Sequence, residues 1–220
     1  MPLLDERTRR DVQTLLEDIA GPTRLIVFTQ DFECQFCRET RQIAEEIAAL
    51  SDHITLDVYD FEKDKDKAEA YGVDKIPAIV ILGEGDRDYG VRYYGIPSGY
   101  EFSSLLHDIK AVAAGPQASP LSEETRTYLS SLQKDVHLQV FVTPTCPYCP
   151  RAVVLAHAMA IASDRVRADM VEATEFPHLA MKYNVMGVPL TVINDREFVE
   201  GAVPEPMLLE ALRSALGDRQ

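Results

Sequence analysis

The sequence predicts an α/β protein of two tandem units, each with a mixed central sheet flanked by helices. Apolar stretches of strand length alternate with helical patterns along the whole chain. The same order of elements occurs in both halves, and a Cys-x-x-Cys pair stands at the same place in each, at an offset of 112 residues. A chain of 220 residues is long enough for two domains of ordinary size.

The repeat extends beyond the cysteines. Cys34 precedes Pro77 by 43 residues, and Cys146 precedes Pro189 by the same 43 residues. A shared register over that distance indicates a duplicated domain.

The boundary between the units is expected in residues 114–120, which are small and turn-forming and lie between two helical patterns. We therefore expect an N-terminal unit over residues 1–115 and a C-terminal unit over residues 116–220. The first carries the sequence Cys-Gln-Phe-Cys and the second Cys-Pro-Tyr-Cys.

Eight elements are predicted in the first unit from the spacing of its apolar residues. Ile43 and Ile47 recur at helical spacing after the cysteine pair, so this helix is expected to begin at Cys34. The last strand follows a hairpin turn at residues 83–87. The expected elements are helix 6–19, strand 25–28, the helix from Cys34, strand 54–59, helix 65–71, strand 78–82, strand 88–94 and helix 100–112.

The sequence of the second unit predicts the same eight elements. Ser122, followed by two glutamates, is typical of a helix N-terminus. The helix after Cys146 is apolar on more than one face. The βαβ–ββα order, with a cysteine pair at the start of the first crossover helix, predicts a thioredoxin fold in each unit. The expected elements are helix 122–132, strand 138–142, the helix from Cys146, strand 166–171, helix 176–183, strand 190–193, strand 196–200 and helix 206–216.

The two cysteine pairs are suited to disulfide exchange, which needs an accessible thiolate and a second thiol that resolves the mixed disulfide. A helix N-terminus aims unpaired N–H groups at the first cysteine and stabilises its thiolate. Cys34 and Cys146 are therefore the predicted nucleophiles. Cys37 and Cys149, three positions later on the same helix face, are the predicted resolving thiols.

The residues around the nucleophiles differ between the sites. Glu33 precedes Cys34, and a carboxylate beside a sulfur disfavours the thiolate. We therefore predict that Cys34 has the higher pKa and that Cys146 is the more reactive nucleophile.

Residues for substrate binding are predicted at two dipeptides, Ile76-Pro77 and Val188-Pro189. In this fold a cis-proline packs beside the cysteine pair, and the residue before it offers backbone hydrogen bonds to an extended substrate. The shared spacing from the cysteines favours the cis form in both halves. Phe36 and Tyr148, each just before a resolving cysteine, are expected either to form an apolar lip for the substrate or to pack within their own unit.

Two further interpretations of these patterns stay open. Two cysteine pairs can bind one zinc ion, but structural zinc sites join pairs over a short loop, and Cys37 and Cys146 are 109 residues apart. Redox chemistry is favoured, with no metal, nucleotide or prosthetic group expected. Asp60 and Glu172 recur at the 112-residue offset, and we favour strand-end acids near solvent over buried proton relays to the resolving cysteines.

Composition excludes several classes of partner. The formal net charge is −14, which argues against nucleic acid, because such binding uses clustered lysine and arginine. No apolar run is long enough to span a bilayer, and the first ten residues lack the apolar core of a secretory signal. A cytoplasmic protein without a membrane partner is expected.

The cysteine motifs, the two strands that begin at a proline and the segments Tyr89–Pro97 and Phe141–Pro150 resemble the two-unit, glutaredoxin-like protein disulfide oxidoreductases of prokaryotes. The resemblance covers the whole chain. It implies a cytoplasmic enzyme of redox homeostasis that reduces, oxidises or rearranges protein disulfides. It also implies electron exchange with a thioredoxin-reductase-type flavoprotein.

Three alternative functions are kept. A glutathione-dependent glutaredoxin is disfavoured, because the segment after Pro189 lacks the Gly-Gly-x-x-Asp run that holds glutathione. An electron-relay partner of a flavoprotein peroxide-reducing system has a similar tandem arrangement; this chain lacks a Gly-x-Gly-x-x-Gly motif, so a flavin is expected on a partner. The third is a non-catalytic peptide-binding or chaperone module.

Overall fold

The first half of the chain follows the predicted order of helices and strands. The computed structural model describes residues 2–218. Element bounds lie within two residues of the expected ones, except at the cysteine-bearing helix. The elements are α1 Glu6–Glu17, β1 Thr23–Thr29, α2 Cys37–Ala48, β2 Ile54–Asp60, α3 Lys65–Ala70, β3 Ala78–Gly83, β4 Arg87–Tyr94 and α4 Glu101–Ala114.

The second half repeats this order. A short 3₁₀ turn at Pro116–Ala118 connects it to α4. Ser122 caps the next helix as predicted, since its side chain accepts a hydrogen bond from the backbone N–H of Thr125. The elements are α5 Glu123–Ser130, β5 Val136–Val142, α6 Cys149–Ala162, β6 Val166–Glu172, α7 Pro177–Lys182, β7 Leu190–Ile193, β8 Glu197–Glu200 and α8 Glu205–Leu216.

All eight strands form one mixed sheet, in the order β2-β1-β3-β4-β6-β5-β7-β8. The predicted α/β class with flanking helices is confirmed, but the expectation of one sheet in each unit is corrected. β4 pairs in parallel with β6, with Val91 opposite Ala168 and Tyr94 opposite Val171. Both strands carry buried side chains, and an unpaired edge would expose them and their backbone groups.

Strand directions bring the equivalent ends of both halves to one edge of the sheet. β1, β2, β4, β5 and β6 run the same way, while β3 and β7 run against them. The C-terminal ends of β1 and β5, which lead into the cysteine pairs, therefore share an edge with the N-terminal ends of β3 and β7. Both cysteine pairs and both prolines consequently lie along this edge.

Helix α6 is buried on several faces because it packs between the sheet and α4. This explains the apolar residues around its circumference: Val153, Ala156 and Met159 are fully buried. At the contact with α4, Nδ1 of His157 lies 2.5 Å from a carboxylate oxygen of Asp108. None of the helices in residues 2–218 has the length and apolar character needed to cross a membrane.

Arg167, in β6, forms hydrogen bonds with the first half at the junction of β4 and β6. Its guanidinium donates to the carbonyl of Gly72 at 2.8 Å, to the hydroxyl of Tyr94 at 2.5 Å and to Asp169 at 2.9 Å. Burial would raise the pKa of Asp169, but the hydrogen bond from His137 and the charge of Arg167 outweigh it and hold that pKa well below its usual value. The junction thus combines apolar packing with a buried, paired charge.

Candidate active site

Each cysteine pair closes into a disulfide, with 5.5 Å between the Cα atoms in both cases. The first pair follows β1 and the second follows β5, which lie four strand positions apart in the sheet. At about 4.8 Å per position, the pairs are separated by roughly 19 Å. One zinc ion cannot bind all four sulfurs at that separation.

The first disulfide lies in a bend ahead of α2. This helix begins at Cys37, so the expectation that it begins at Cys34 is wrong. Its first backbone hydrogen bond runs from the N–H of Thr40 to the carbonyl of Phe36, at 2.9 Å. Cys34 is half-buried and Cys37 is buried. Residues 34–36 form a bend that precedes the helix. The spacing of Ile43 and Ile47 predicts a helix but not the residue at which it begins.

The second disulfide is more enclosed. Cys146 is 7% exposed and Cys149 is fully buried. Helix α6 likewise begins at the second cysteine of its pair, which corrects the expectation that it begins at Cys146. The backbone N–H of Cys149 donates to the sulfur of Cys146 at 3.1 Å. Within residues 2–218 no backbone N–H makes the matching contact to the sulfur of Cys34, so the two sites differ at their first cysteine.

The two proline dipeptides share one backbone feature. The peptide bonds Ile76-Pro77 and Val188-Pro189 are cis, as the shared spacing favoured. The carbonyl oxygen of Val188 lies 3.8 Å from the sulfur of Cys146. This contact brings the backbone of the dipeptide to the edge of the reactive group.

The two residues that precede the resolving cysteines are placed differently. Tyr148 is 64% exposed beside the second disulfide, as a lip around the sulfurs would require. Phe36 is partly buried. Both are the N-cap residues of their helices, and neither makes a side-chain capping bond.

A polar cleft of about 680 Å³ opens beside the first disulfide. Both cysteines of the pair line it, together with the exposed Arg38. Arg41 also lines it and is paired with Glu45 at 2.7 Å. The surroundings of the first disulfide are thus charged.

The two recurring strand-end acids have different environments. Asp60 is partly exposed, and its hydrogen bond from Lys63 lowers its pKa. Glu172 is only 2% exposed, so the favoured expectation of an acid near solvent is wrong for this residue. The pairing of β4 with β6 buries it: a Cβ atom on Gly95 would lie 2.6 Å from the Cβ of Glu172. One of its carboxylate oxygens has no hydrogen-bond partner within residues 2–218.

A buried carboxyl group that the sequence did not reveal is Glu101, at the start of α4. It is 1% exposed, and burial raises its pKa to about 7, against a hydrogen bond from Ser104. In the sequence it is an ordinary first-turn acid. It is buried because the chain beside it meets the second half, where the N–H of Tyr100 donates to the carbonyl of Pro144 at 3.0 Å.

Comparison with known proteins supports the fold. A family model described as a thioredoxin domain matches residues 136–214. The crystal structure of a protein disulfide oxidoreductase from Aeropyrum pernix K1 is 32% identical, with a TM-score of 0.89, and the match covers 99% of this chain and 96% of that one. The NTD_N/C domain of the alkyl hydroperoxide reductase AhpF from Enterococcus faecalis is 26% identical, with a TM-score of 0.86, over 95% of this chain and 99% of that one.

Curated relatives are longer than this chain. The alkyl hydroperoxide reductase AhpF of Escherichia coli K12 is 27% identical over 201 residues, which are 90% of this chain and 35% of that protein. The chain thus spans about a third of the length of the curated relatives it matches. Near-complete coverage of the Aeropyrum protein at 32% identity, together with two Cys-x-x-Cys pairs, shows that the chain belongs to the protein disulfide oxidoreductase family.

Proposed function

We propose that the protein catalyses dithiol–disulfide exchange with protein disulfides, using Cys34–Cys37 and Cys146–Cys149 as two redox-active pairs. The strongest support is that each pair closes into a disulfide beside a cis-proline, at one edge of the sheet. Exchange requires a reactive sulfur and a resolving thiol within bonding distance, and each pair supplies both.

In the reducing direction, the thiolate of Cys146 attacks one sulfur of the substrate disulfide. A bond forms between these two sulfurs, and the other substrate sulfur leaves as a thiolate and takes up a proton. The thiolate of Cys149 then attacks Cys146 and releases the first substrate sulfur as a thiol. The substrate gains two electrons, and the enzyme dithiol, which supplies them, becomes a disulfide.

Cys146 is the principal nucleophile in this proposal. The N–H of Cys149 at 3.1 Å stabilises negative charge on its sulfur, and Cys34 has no such donor within residues 2–218. The fully buried Cys149 suits the resolving role, because a substrate cannot reach it.

The cis-proline dipeptides and the aromatic residues supply substrate contacts. Backbone groups of Val188, and of Ile76 in the first half, bind the extended chain next to the disulfide. Tyr148 offers an exposed ring beside Cys146. If the ring has this role, Tyr148→Ala lowers turnover of a protein disulfide more than that of a small disulfide.

We also propose a cytoplasmic setting and a thioredoxin-reductase-type flavoprotein as electron partner. The chain carries no Gly-x-Gly-x-x-Gly motif, so the flavin and nicotinamide sites are assigned to the partner. The formal charge of −14 supports protein substrates over nucleic acid.

A second candidate function is electron relay within a peroxide-reducing system. It is supported by the 27% identity to the alkyl hydroperoxide reductase AhpF across 90% of this chain. The relay predicts that the reduced chain passes electrons to a peroxidase disulfide much faster than to insulin. Similar rates would favour the broad exchange activity.

The first measurement is reduction of insulin disulfides with dithiothreitol. We expect Cys146→Ser to abolish most of the activity and Cys34→Ser to retain most of it. A wild-type rate no faster than dithiothreitol alone would contradict the exchange activity. A non-catalytic binding module would instead keep its peptide binding when all four cysteines are changed to serine.

The ranking of the nucleophiles is tested by alkylation. One variant keeps only Cys146 and another keeps only Cys34, the other three cysteines being serine. The alkylation rate of each thiol increases with pH as the thiolate forms. We expect the midpoint of this increase to lie at a lower pH for Cys146 than for Cys34, because the N–H of residue 149 stabilises the Cys146 thiolate. The ranking is wrong if the midpoint for Cys34 lies at the lower pH.

A further inference from the structure

An open groove of about 630 Å³ lies beside the second disulfide, along β7 and β8. It begins at Val188, whose carbonyl oxygen is 3.8 Å from the sulfur of Cys146, and it extends to Glu200 at the end of β8. Because β8 is the last strand of the sheet, no strand of residues 2–218 covers its outer side. The groove therefore leads from the reactive sulfur to an open edge of the protein.

Large apolar side chains are exposed in this groove. Met186 is 87% exposed and Phe198 is 47% exposed. The ring of Tyr183 lies beside Phe198, with 6.4 Å between the ring centroids, and is itself buried. Exposed apolar side chains that line a common groove mark a binding surface, and the flexible methionine adapts to different side chains.

Glu200 supplies the charge of the groove. Among the described residues that line the groove, it is the only carboxylate, and no lysine or arginine lines it. Glu200 is exposed and forms no ion pair within residues 2–218. A carboxylate without a partner in an apolar groove fits a basic side chain of a ligand, and the net charge of −14 attracts basic segments.

Among residues 2–218, the strands beside the first disulfide form no equivalent open groove. The strand register places Tyr94 of β4 where β8 has Glu200, since Tyr94 lies opposite Ala78 and Glu200 lies opposite Leu190. Tyr94 is fully buried, and Nζ of Lys75 lies 3.7 Å from its ring centroid. Strand β6 pairs along β4 and closes the side that is open at β8. Because β6 occupies the edge of β4, the described residues of the first half leave no open groove at this position.

We propose that this groove binds an extended polypeptide segment of the substrate. A large apolar side chain packs against Met186 and Phe198, and a lysine or arginine pairs with Glu200. The second site, and not the first, then selects disulfides whose cysteine is followed or preceded closely by a basic residue. This inference rests on the proposed exchange activity and adds the chemistry of the substrate to it.

The test uses the full chain with Cys34→Ser and Cys37→Ser, so that only the second site reacts. The protein is reduced with dithiothreitol, separated from it, and mixed with short peptides whose single cysteine is joined by a disulfide to a coloured aromatic thiol. Attack by Cys146 and resolution by Cys149 leave one enzyme disulfide and two free thiols, so colour release reports the rate. The peptides carry lysine, alanine or glutamate at positions two to four residues from their cysteine.

We expect the best lysine peptide to react about threefold to fivefold faster than its alanine counterpart, and the glutamate peptide to react more slowly. High salt should reduce this preference, because an exposed ion pair is screened. Glu200→Gln should abolish it. Glu69→Gln, which removes an exposed acid from α3, should retain it. Equal rates for the three peptides, or a preference that persists in Glu200→Gln, would overturn the inference.

A small aromatic disulfide without a peptide separates this inference from the exchange activity. It does not fill the groove, so its rate should be the same in all these variants. If it reacts normally while the peptide preference is absent, the groove assignment alone fails. If it does not react either, the exchange activity fails with it.

The apolar part of the groove has its own variant. Met186→Ser changes a side chain that is 87% exposed, so the fold should be unaffected. We expect peptides with leucine beside the cysteine to lose their advantage over peptides with serine there. An unchanged advantage would overturn the assignment of Met186 to the apolar contact.

Discussion

At Glu101, a carboxyl group is buried without a cation. Its one satisfied oxygen accepts from Ser104 at 2.7 Å, and the other has no partner within residues 2–218. Desolvation is the main cause of its raised pKa of about 7, which the nearby Asp108 raises further and His157 lowers. The group thus keeps its proton under conditions where an exposed glutamate has lost it.

This protonation predicts a pH dependence of stability. The pKa of Glu101 is about 7 in the folded protein, and its reference value is 4.5. The contribution of this carboxyl group to the free energy of unfolding is therefore fully present below about pH 4.5 and is lost as the pH rises through 7. Glu101→Gln stays neutral. Between pH 4.5 and pH 8, its free energy of unfolding relative to wild type should therefore improve by roughly 3 kcal/mol.

Urea unfolding at the two pH values measures this difference. Glu17→Gln, which changes an exposed acid at the end of α1, serves as the control for the loss of a carboxyl group. If Glu101→Gln differs from wild type by the same amount at both pH values, folding does not raise the pKa of Glu101.

At the scale of elements, the connection from β4 to α4 supports the second disulfide from the first half. Gly99 has a φ of 61°, and a Cβ atom there would lie 2.1 Å from the carbonyl oxygen of Pro144. The next N–H, of Tyr100, donates to the same oxygen at 3.0 Å. Because Pro144 stands two residues before Cys146, this close approach holds the loop that leads to the nucleophile.

Gly99→Ala should therefore be costly. A left-handed φ alone costs about 1–2 kcal/mol for a residue with a Cβ atom, and the contact with Pro144 adds to it. Gly85→Ala is the matched control, because Gly85 has a φ of 68° but no heavy atom within 4 Å of an added Cβ. We expect Gly99→Ala to lose more unfolding free energy than Gly85→Ala and to slow insulin reduction. Equal losses would show that the loop yields to the added atom.

The whole molecule is organised by the pairing of β4 with β6. This pairing makes one sheet of two repeats, and α4 packs on α6 across the same junction. The division into units at residues 115 and 116 stays a prediction. It describes where the chain is duplicated, whereas the core runs from one half into the other.

Such a shared core predicts one cooperative unfolding transition. Hydrogen exchange measured at increasing urea should show the amides of β1 and β5 losing protection at the same concentration. The halves would be independent if β5 lost protection while β1 kept it.

Local sequence patterns were sufficient for much of the fold. The period of the apolar residues placed the main helices and strands of both halves in their correct order, because burial of one face is a local requirement. It placed the start of each cysteine-bearing helix three residues too early, because Cys34 and Cys146 lie in bends or turns ahead of the helices, and helical spacing does not mark where such a segment ends. The repeat also predicted the matching cysteines and prolines, and at the second site the carbonyl oxygen of Val188 lies 3.8 Å from the sulfur of Cys146.

Tertiary structure decided what no local pattern carries. The same strand position is buried beneath β6 in the first half and open at the edge in the second, because β4 has a neighbour and β8 does not. Glu172 and Glu101 look like surface acids in the sequence and are buried by contacts with residues far away in the chain. Short motifs therefore indicate the chemistry of the cysteine pairs. The difference between the two sites depends on which strand edges pair, and that pairing is a long-range interaction set by the packing of the whole sheet.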